Sequence, residues 1–203
     1  MVRIPYINEA ENPALTELVA RLSSGRRGKL LNLYRLLLHS PPIAAAWFEL
    51  VNAVRWKTSL SGRLREIVII RVALLNRAAY AISQHVPKLA FAEGLTVAEC
   101  EALRDWRSSK LFSEPEHAAL AYTDAMTQDV AVADSVFAPL RKHFDNRSIV
   151  DLSVLIGTYN MHTRVLQARN RPGRAELTQG LFTKHFGQRS THRTSLQTSL
   201  PSR

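Results

Sequence analysis

Apolar residues recur along most of the chain at the three-and-four spacing of a helix buried on one face. Leu15, Leu18, Val19 and Leu22 make the first stripe, entered at Pro13 and closed at Ser23-Ser24-Gly25. Ahead of it, residues 1–12 read as an extended arm, because the proline of Ile4-Pro5-Tyr6 biases its neighbour away from helix. A second helix is expected over 30–38, stopped by His39-Ser40-Pro41-Pro42. The two prolines then open a third, in which Ile43, Trp47, Leu50, Val51 and Val54 recur at helical spacing. Gly25-Arg26-Arg27-Gly28 looks like a phosphate loop, but it follows no strand and lacks the Gly-Lys-Ser/Thr ending, so it reads as a connection.

In the next segment local propensity and length disagree. Ile67-Val68-Ile69-Ile70-Arg71-Val72 is rich in β-branched residues and on composition alone suggests a buried strand. The apolar pattern runs on to Leu75, however, and Ser61 is placed to cap a helix, so the expectation is a helix buried on most sides. A break at Asn76-Arg77 leads into a further helix that carries His85 and ends at Gly94. Thr96-x-x-Glu99 is a capping box that predicts a helix from 97 to about 106, and Ser113-x-x-Glu116 is a second one. Another helix is expected over 135–144 with Pro139 weakening its centre, and a last long one, capped by Asp145 or Asn146, runs to Leu166. No period-two strand pattern survives. The fold class is all-α, about eight or nine helices in a single-domain bundle.

Composition changes this picture at the ends. The chain has 203 residues, 46% hydrophobic and 22% charged, enough for one core. Its net charge is +10, but much of the excess lies in Arg164, Arg169, Arg171, Arg174, Lys184, Arg189, Arg193 and Arg203, against the single acid Glu176. The domain limits are therefore an arm over 1–12, a helical domain over 13–171 and a basic, largely disordered tail over 172–203. Neither a nucleic-acid nor a membrane partner is expected. No apolar run approaches the ~18 residues of a membrane span, residues 1–13 lack the long apolar run of a signal peptide, and a cytoplasmic protein is expected. Cys100 is the one cysteine, flanked by Glu99 and Glu101, so no intramolecular disulfide can form; no metal site and no cofactor are expected.

The candidate chemistry lies in 64–94. Glu66 is the one acid of a mostly apolar segment, and His85 shares one stripe of the next helix with Ala78 and Ala81. An imidazole titrates near neutrality and pairs naturally with a carboxylate that orients it, so the two make a candidate acid/base pair. Pro87 removes a backbone donor in the same helix and predicts a kink near His85. Tyr159, on the last long helix, is a further residue able to reach the site.

Residues 30–42, 59–96 and 152–168, together with the arm Arg3-Ile4-Pro5-Tyr6-Ile7, resemble the carboxymuconolactone decarboxylase family, which includes the alkylhydroperoxidase D-like proteins. The resemblance implies an all-helical fold assembled as a homo-oligomer, a trimer or hexamer. In peroxidase-type members a glutamate is followed by Cys-x-x-Cys-x-x-x-His. Glu66 and His85 stand at the acid and imidazole positions, Ala78 and Ala81 at the two cysteine positions, and Tyr80 just before the second. Thiol peroxidase chemistry needs an attacking and a resolving thiol, and neither alanine supplies one. The resemblance therefore implies lyase-type acid/base chemistry by Glu66 and His85 on a small carboxylated or lactone substrate. Ala78, Tyr80, Ala81, Tyr159 and a carboxylate-holding Arg71 would line the binding site. The alternatives are a peroxidase-related antioxidant protein relying on Cys100, and a non-catalytic oligomeric protein that binds a small molecule.

Overall fold

The fold is organised by a helix that is buried all the way round. In the computed structural model, which describes residues 3–24 and 29–169, the segment of ambiguous propensity is the helix α4, Gly62–Leu75 in the numbering below, and residues 64–73 are all buried. When every face is covered no amphipathic period is visible, and length alone separates helix from strand. Ser61 caps it, its Oγ accepting from the Leu64 amide at 3.2 Å.

Nine α-helices occur among the described residues. They are α1 (Thr16–Ser23), α2 (Asn32–Leu37), α3 (Pro41–Trp56), α4 (Gly62–Leu75), α5 (Ala79–Gln84), α6 (Val97–Ala102), α7 (Glu114–Gln128), α8 (Asp134–His143) and α9 (Asn146–Arg169). No strand occurs among those residues, and the fold is all-α as expected. The two capping boxes form as the sequence predicts, at Thr96/Glu99 and Ser113/Glu116. Asp145 rather than Asn146 caps α9, accepting from the Ser148 amide at 2.7 Å.

Three apolar clusters meet on this frame. Leu64, Val68, Ile69 and Val72 of α4 pack against α7, α8 and α9. Ile67, Ile70 and Ala73, on the other side of α4, pack against α5, α6 and the segments that follow them. A third cluster joins α1, α2 and α3 to Leu166 of α9. Each fully buried Ile, Leu or Val contributes roughly 1.5–3 kcal/mol, so α4 is the helix whose removal would dissolve two of the three clusters.

Three stretches depart from the sequence expectation. The arm is not wholly extended: Glu9–Glu11 forms a 3-10 turn capped by Asn8, and Pro13–Leu15 forms another. The helix expected to reach about 106 ends at Ala102 and continues as a 3-10 stretch, Leu103–Ser108, broken at Asp105 (φ −129°, ψ 54°). The helix of His85 does not simply bend at Pro87. Its stretch His85–Ala90 widens into a π-helical turn, the kind of widening that single turns adopt where an ordinary i→i−4 bond cannot form. The Gly25–Gly28 connection and the tail from Pro172 lie outside the described residues.

Candidate active site

Glu66 is the one carboxylate on the most buried helix, completely shielded from solvent. A buried ionised carboxylate is tolerated only with partners that offset its lost hydration. Two elements supply them. The π-helical turn after α5 brings His85 Nδ1 to 2.6 Å from Glu66 Oε2. The last turn of α3 brings Arg55 Nη2 to 3.2 Å from Glu66 Oε1. Arg55 then forks: its Nη1 donates to the Tyr159 hydroxyl of α9 at 2.9 Å. Tyr159 in turn lays its ring edge-on to the His85 imidazole, with centroids 5.6 Å apart and planes at 80°. Four elements thus converge on one buried acid.

The electrostatics follow from this geometry. Burial pushes the Glu66 carboxyl upward, but the hydrogen bond from His85 and the positive fields of His85, Arg55 and Arg65 outweigh it. The group is held below the usual carboxylate range. Burial works against the Arg55 charge in the same way, and the neighbouring Tyr159 and Glu66 more than restore it. Glu66 is therefore ionised at neutral pH and acts as an acceptor for the imidazole. Nδ1 is the ring nitrogen of His85 that faces the carboxylate.

The remaining sequence-expected residues fall in three places. Ala78 and Ala81 are buried, and with Tyr80 they line a cavity of about 90 Å³ whose other walls include Tyr6, Gln167 and Arg169. Glu66 and His85 are not among its lining residues. Tyr159 lies beside the pair, as described. Arg71 does not, and its expected role as a carboxylate holder is corrected. Arg71 points from α4 toward α7, donating to Asp124 from Nε (2.6 Å) and Nη2 (2.9 Å) and to the Leu103 carbonyl from Nη1 (2.9 Å). Five residues along α4 from Glu66, it leaves the helix on a different face. It is a structural ion pair.

Arg55 is the residue that sequence reasoning missed. The signal was present: Arg55 follows Val51 by four and Trp47 by eight, on the buried face of α3. A charge on an apolar stripe asks for a buried counter-charge. Cys100 is fully buried, and burial, helped by the negative fields of Glu99, Glu66 and Glu101, pushes its thiol up to about 12. Among the described residues no group of three or more His, Cys, Asp or Glu side chains is placed to hold a metal ion, and no helix is long and apolar enough to cross a membrane.

Residues 41–125, which include α3, α4 and the Glu66–His85 pair, match the model of the carboxymuconolactone decarboxylase family. Together with the structural neighbours below, that match supports the carboxymuconolactone decarboxylase family for this chain. Among curated proteins it is 30% identical over 127 residues to the uncharacterised protein YnjA of Escherichia coli, a match spanning 62% of this chain and 66% of that one. It is 29% identical to the uncharacterised protein YdfG of Bacillus subtilis over 54% of this chain and 75% of that one. Among solved structures it resembles a candidate AhpD antioxidant-defence protein of unknown function from Agrobacterium tumefaciens, at 28% identity and a TM-score of 0.62 over 68% of this chain and 95% of that one. The debrominase Bmp8 in complex with 2,3,4-tribromopyrrole shares the fold at 18% identity and a TM-score of 0.71, over 89% of this chain and 96% of that one.

Proposed function

We propose that the chain is an acid/base enzyme of the carboxymuconolactone decarboxylase type, acting on a small carboxylated or lactone substrate. In such a reaction the bond to the carboxylate breaks, CO2 leaves, and the electron pair stays on the substrate as an enolate. The Nε2–H of a protonated His85 then delivers a proton to that carbon, and Glu66 holds the imidazole through Nδ1. What carries the reading is the 2.6 Å contact between His85 Nδ1 and a fully buried, ionised Glu66. A peroxidase reading needs a nucleophilic thiol. Ala78 and Ala81 supply none, and a fully buried Cys100 whose thiol is pushed up to about 12 is protonated at neutral pH.

CO2 release from carboxylated lactones by purified protein tests the proposal. Turnover by the wild type that falls ~100-fold or more in His85→Ala and less steeply in Glu66→Gln is expected. Equal rates in all three proteins would rule the pair out.

The assembly is part of the same proposal. Ile43, Leu50 and Trp56 are exposed on α3, and Val150 and Val154 on α9, which is linked to α3 by the Arg55–Tyr159 bond. Large apolar side chains left exposed on two helices that pack together are suited to a partner surface, and a homo-oligomer is the occupant proposed. Light scattering on the eluting protein should give the mass of a trimer or hexamer. A monomer at micromolar concentration would contradict it.

A further inference from the structure

A buried carboxylate beside an imidazole favours the imidazolium, more strongly the less its charge is balanced. Arg55 supplies such a balance. Its guanidinium lies 3.2 Å from Glu66 Oε1 and is held there by a second bond to Tyr159, 2.9 Å away on α9. Arg55 and Glu66 are almost completely buried, at 4% and 0% exposure, so their interaction is little screened by water.

We propose that Arg55 is a positioning residue for the Glu66–His85 pair. Its guanidinium, forked between Glu66 and Tyr159, balances the buried carboxylate and leaves His85 able to lose and regain its proton near neutral pH. The inference rests on the acid/base reading of the pair, but its test does not need a substrate.

The groups around the pair come from every side. Arg55 is on α3, where the exposed Trp56 ring covers it at 5.1 Å and also covers Arg65 at 5.2 Å. Arg65 is on α4 and is paired with Glu93 at 2.9 Å. Tyr159 and His162, stacked with centroids 5.5 Å apart, are on α9. Cys100 on α6 is within the field of Glu66 and stays a neutral thiol. Among the described residues Arg55 is the arginine that bonds Glu66 directly; Arg65 bonds Glu93 and reaches Glu66 only through its field. With Arg55 the resting cluster of Arg55, Glu66 and His85 is neutral when the imidazole is neutral. Without it the same state carries a buried negative charge, and protonation of His85 is what relieves it.

The sign of the effect is therefore fixed: removing Arg55 raises the proton affinity of His85. Histidine-labelled protein titrated by NMR, with the His85 resonance assigned from a His85→Ala spectrum, reads this directly. Arg55→Met is expected to raise the His85 midpoint by about one pH unit or more, a tenfold change in proton affinity. Arg55→Lys, which keeps the charge and loses the fork, is expected to return most of the way. An Arg55→Met protein of wild-type helicity whose midpoint moves by less than a few tenths, or moves down, overturns the proposal. Should Arg55→Met fail to fold, the Glu66→Gln background leaves no buried carboxylate stranded. There Arg55→Met is again expected to raise the midpoint above that of Glu66→Gln alone, and coincident curves overturn the proposal. Absence of turnover on every lactone would count against the acid/base reading and leave this titration unaffected.

Discussion

Arg55 and Arg71, both buried on helices of the core, meet carboxylates in different ways. Arg71 binds Asp124 through two nitrogens, and Asp124 also accepts from Trp106 Nε1 (3.1 Å) and Arg107 Nη1 (2.8 Å). That cluster ties α4 to α7 and to the 3-10 stretch after α6. Every acceptor in it is used, so it is a brace. Arg71→Met strands Asp124, only 3% exposed, with one exposed cation and an indole. A loss of about 3–5 kcal/mol is expected in chemical denaturation, as for other broken buried pairs. A loss below ~1 kcal/mol would show that Asp124 is better hydrated than its burial implies. Arg55, by contrast, meets its carboxylate through one nitrogen and leaves the second oxygen to an imidazole. The sequence offers both arginines at buried helical positions. It does not say which acid each one finds, because that depends on how the helices are rotated against each other.

At the scale of elements, helix ends were readable and helix interiors less so. Ser61, Thr96, Ser113 and Asp145 cap where their side chains predict, since a cap is a local hydrogen bond between residues two or three apart. The π-helical turn His85–Ala90 was legible only as trouble at Pro87. A missing donor says that the ordinary bond fails, and the surrounding packing chooses between a kink and a widening. The break at Asp105 leaves no comparable mark in the sequence. One helix end is locally costly. After α7 the chain turns at Val130 with φ 67°, its amide donating back to the Ala125 carbonyl at 3.1 Å. A β-branched residue in the left-handed region costs roughly 1–2 kcal/mol, and the Val130 side chain, 84% exposed, gains little packing in return. Val130→Gly is expected to stabilise the protein by about 0.5–1 kcal/mol after the greater freedom of glycine in the unfolded chain is subtracted. A lower urea midpoint in Val130→Gly would contradict the backbone argument.

At the scale of the whole molecule, the site is where α4, buried on every side, meets three other elements. Arg55 and Glu66 are 11 positions apart and Arg55 and Tyr159 are 104 apart. No local pattern connects the last helix to the first pair, and only the assembled fold brings the phenol to the guanidinium. The acid and the imidazole were legible because family resemblance fixed their spacing, and Glu66 stood out as a charge in an apolar run. The charge balance around them was not legible. Ala78 and Ala81 line a small cavity whose lining residues do not include Glu66 or His85.

The central claim is that His85, held by Glu66, moves a proton to or from carbon. The most direct test is decarboxylation of a carboxylated lactone in D2O, followed by NMR of the product. The account predicts deuterium at the carbon that lost CO2, formed by the wild-type protein and slowed ~100-fold or more in a folded His85→Ala variant. Labelled product appearing at the same rate in both proteins would contradict it.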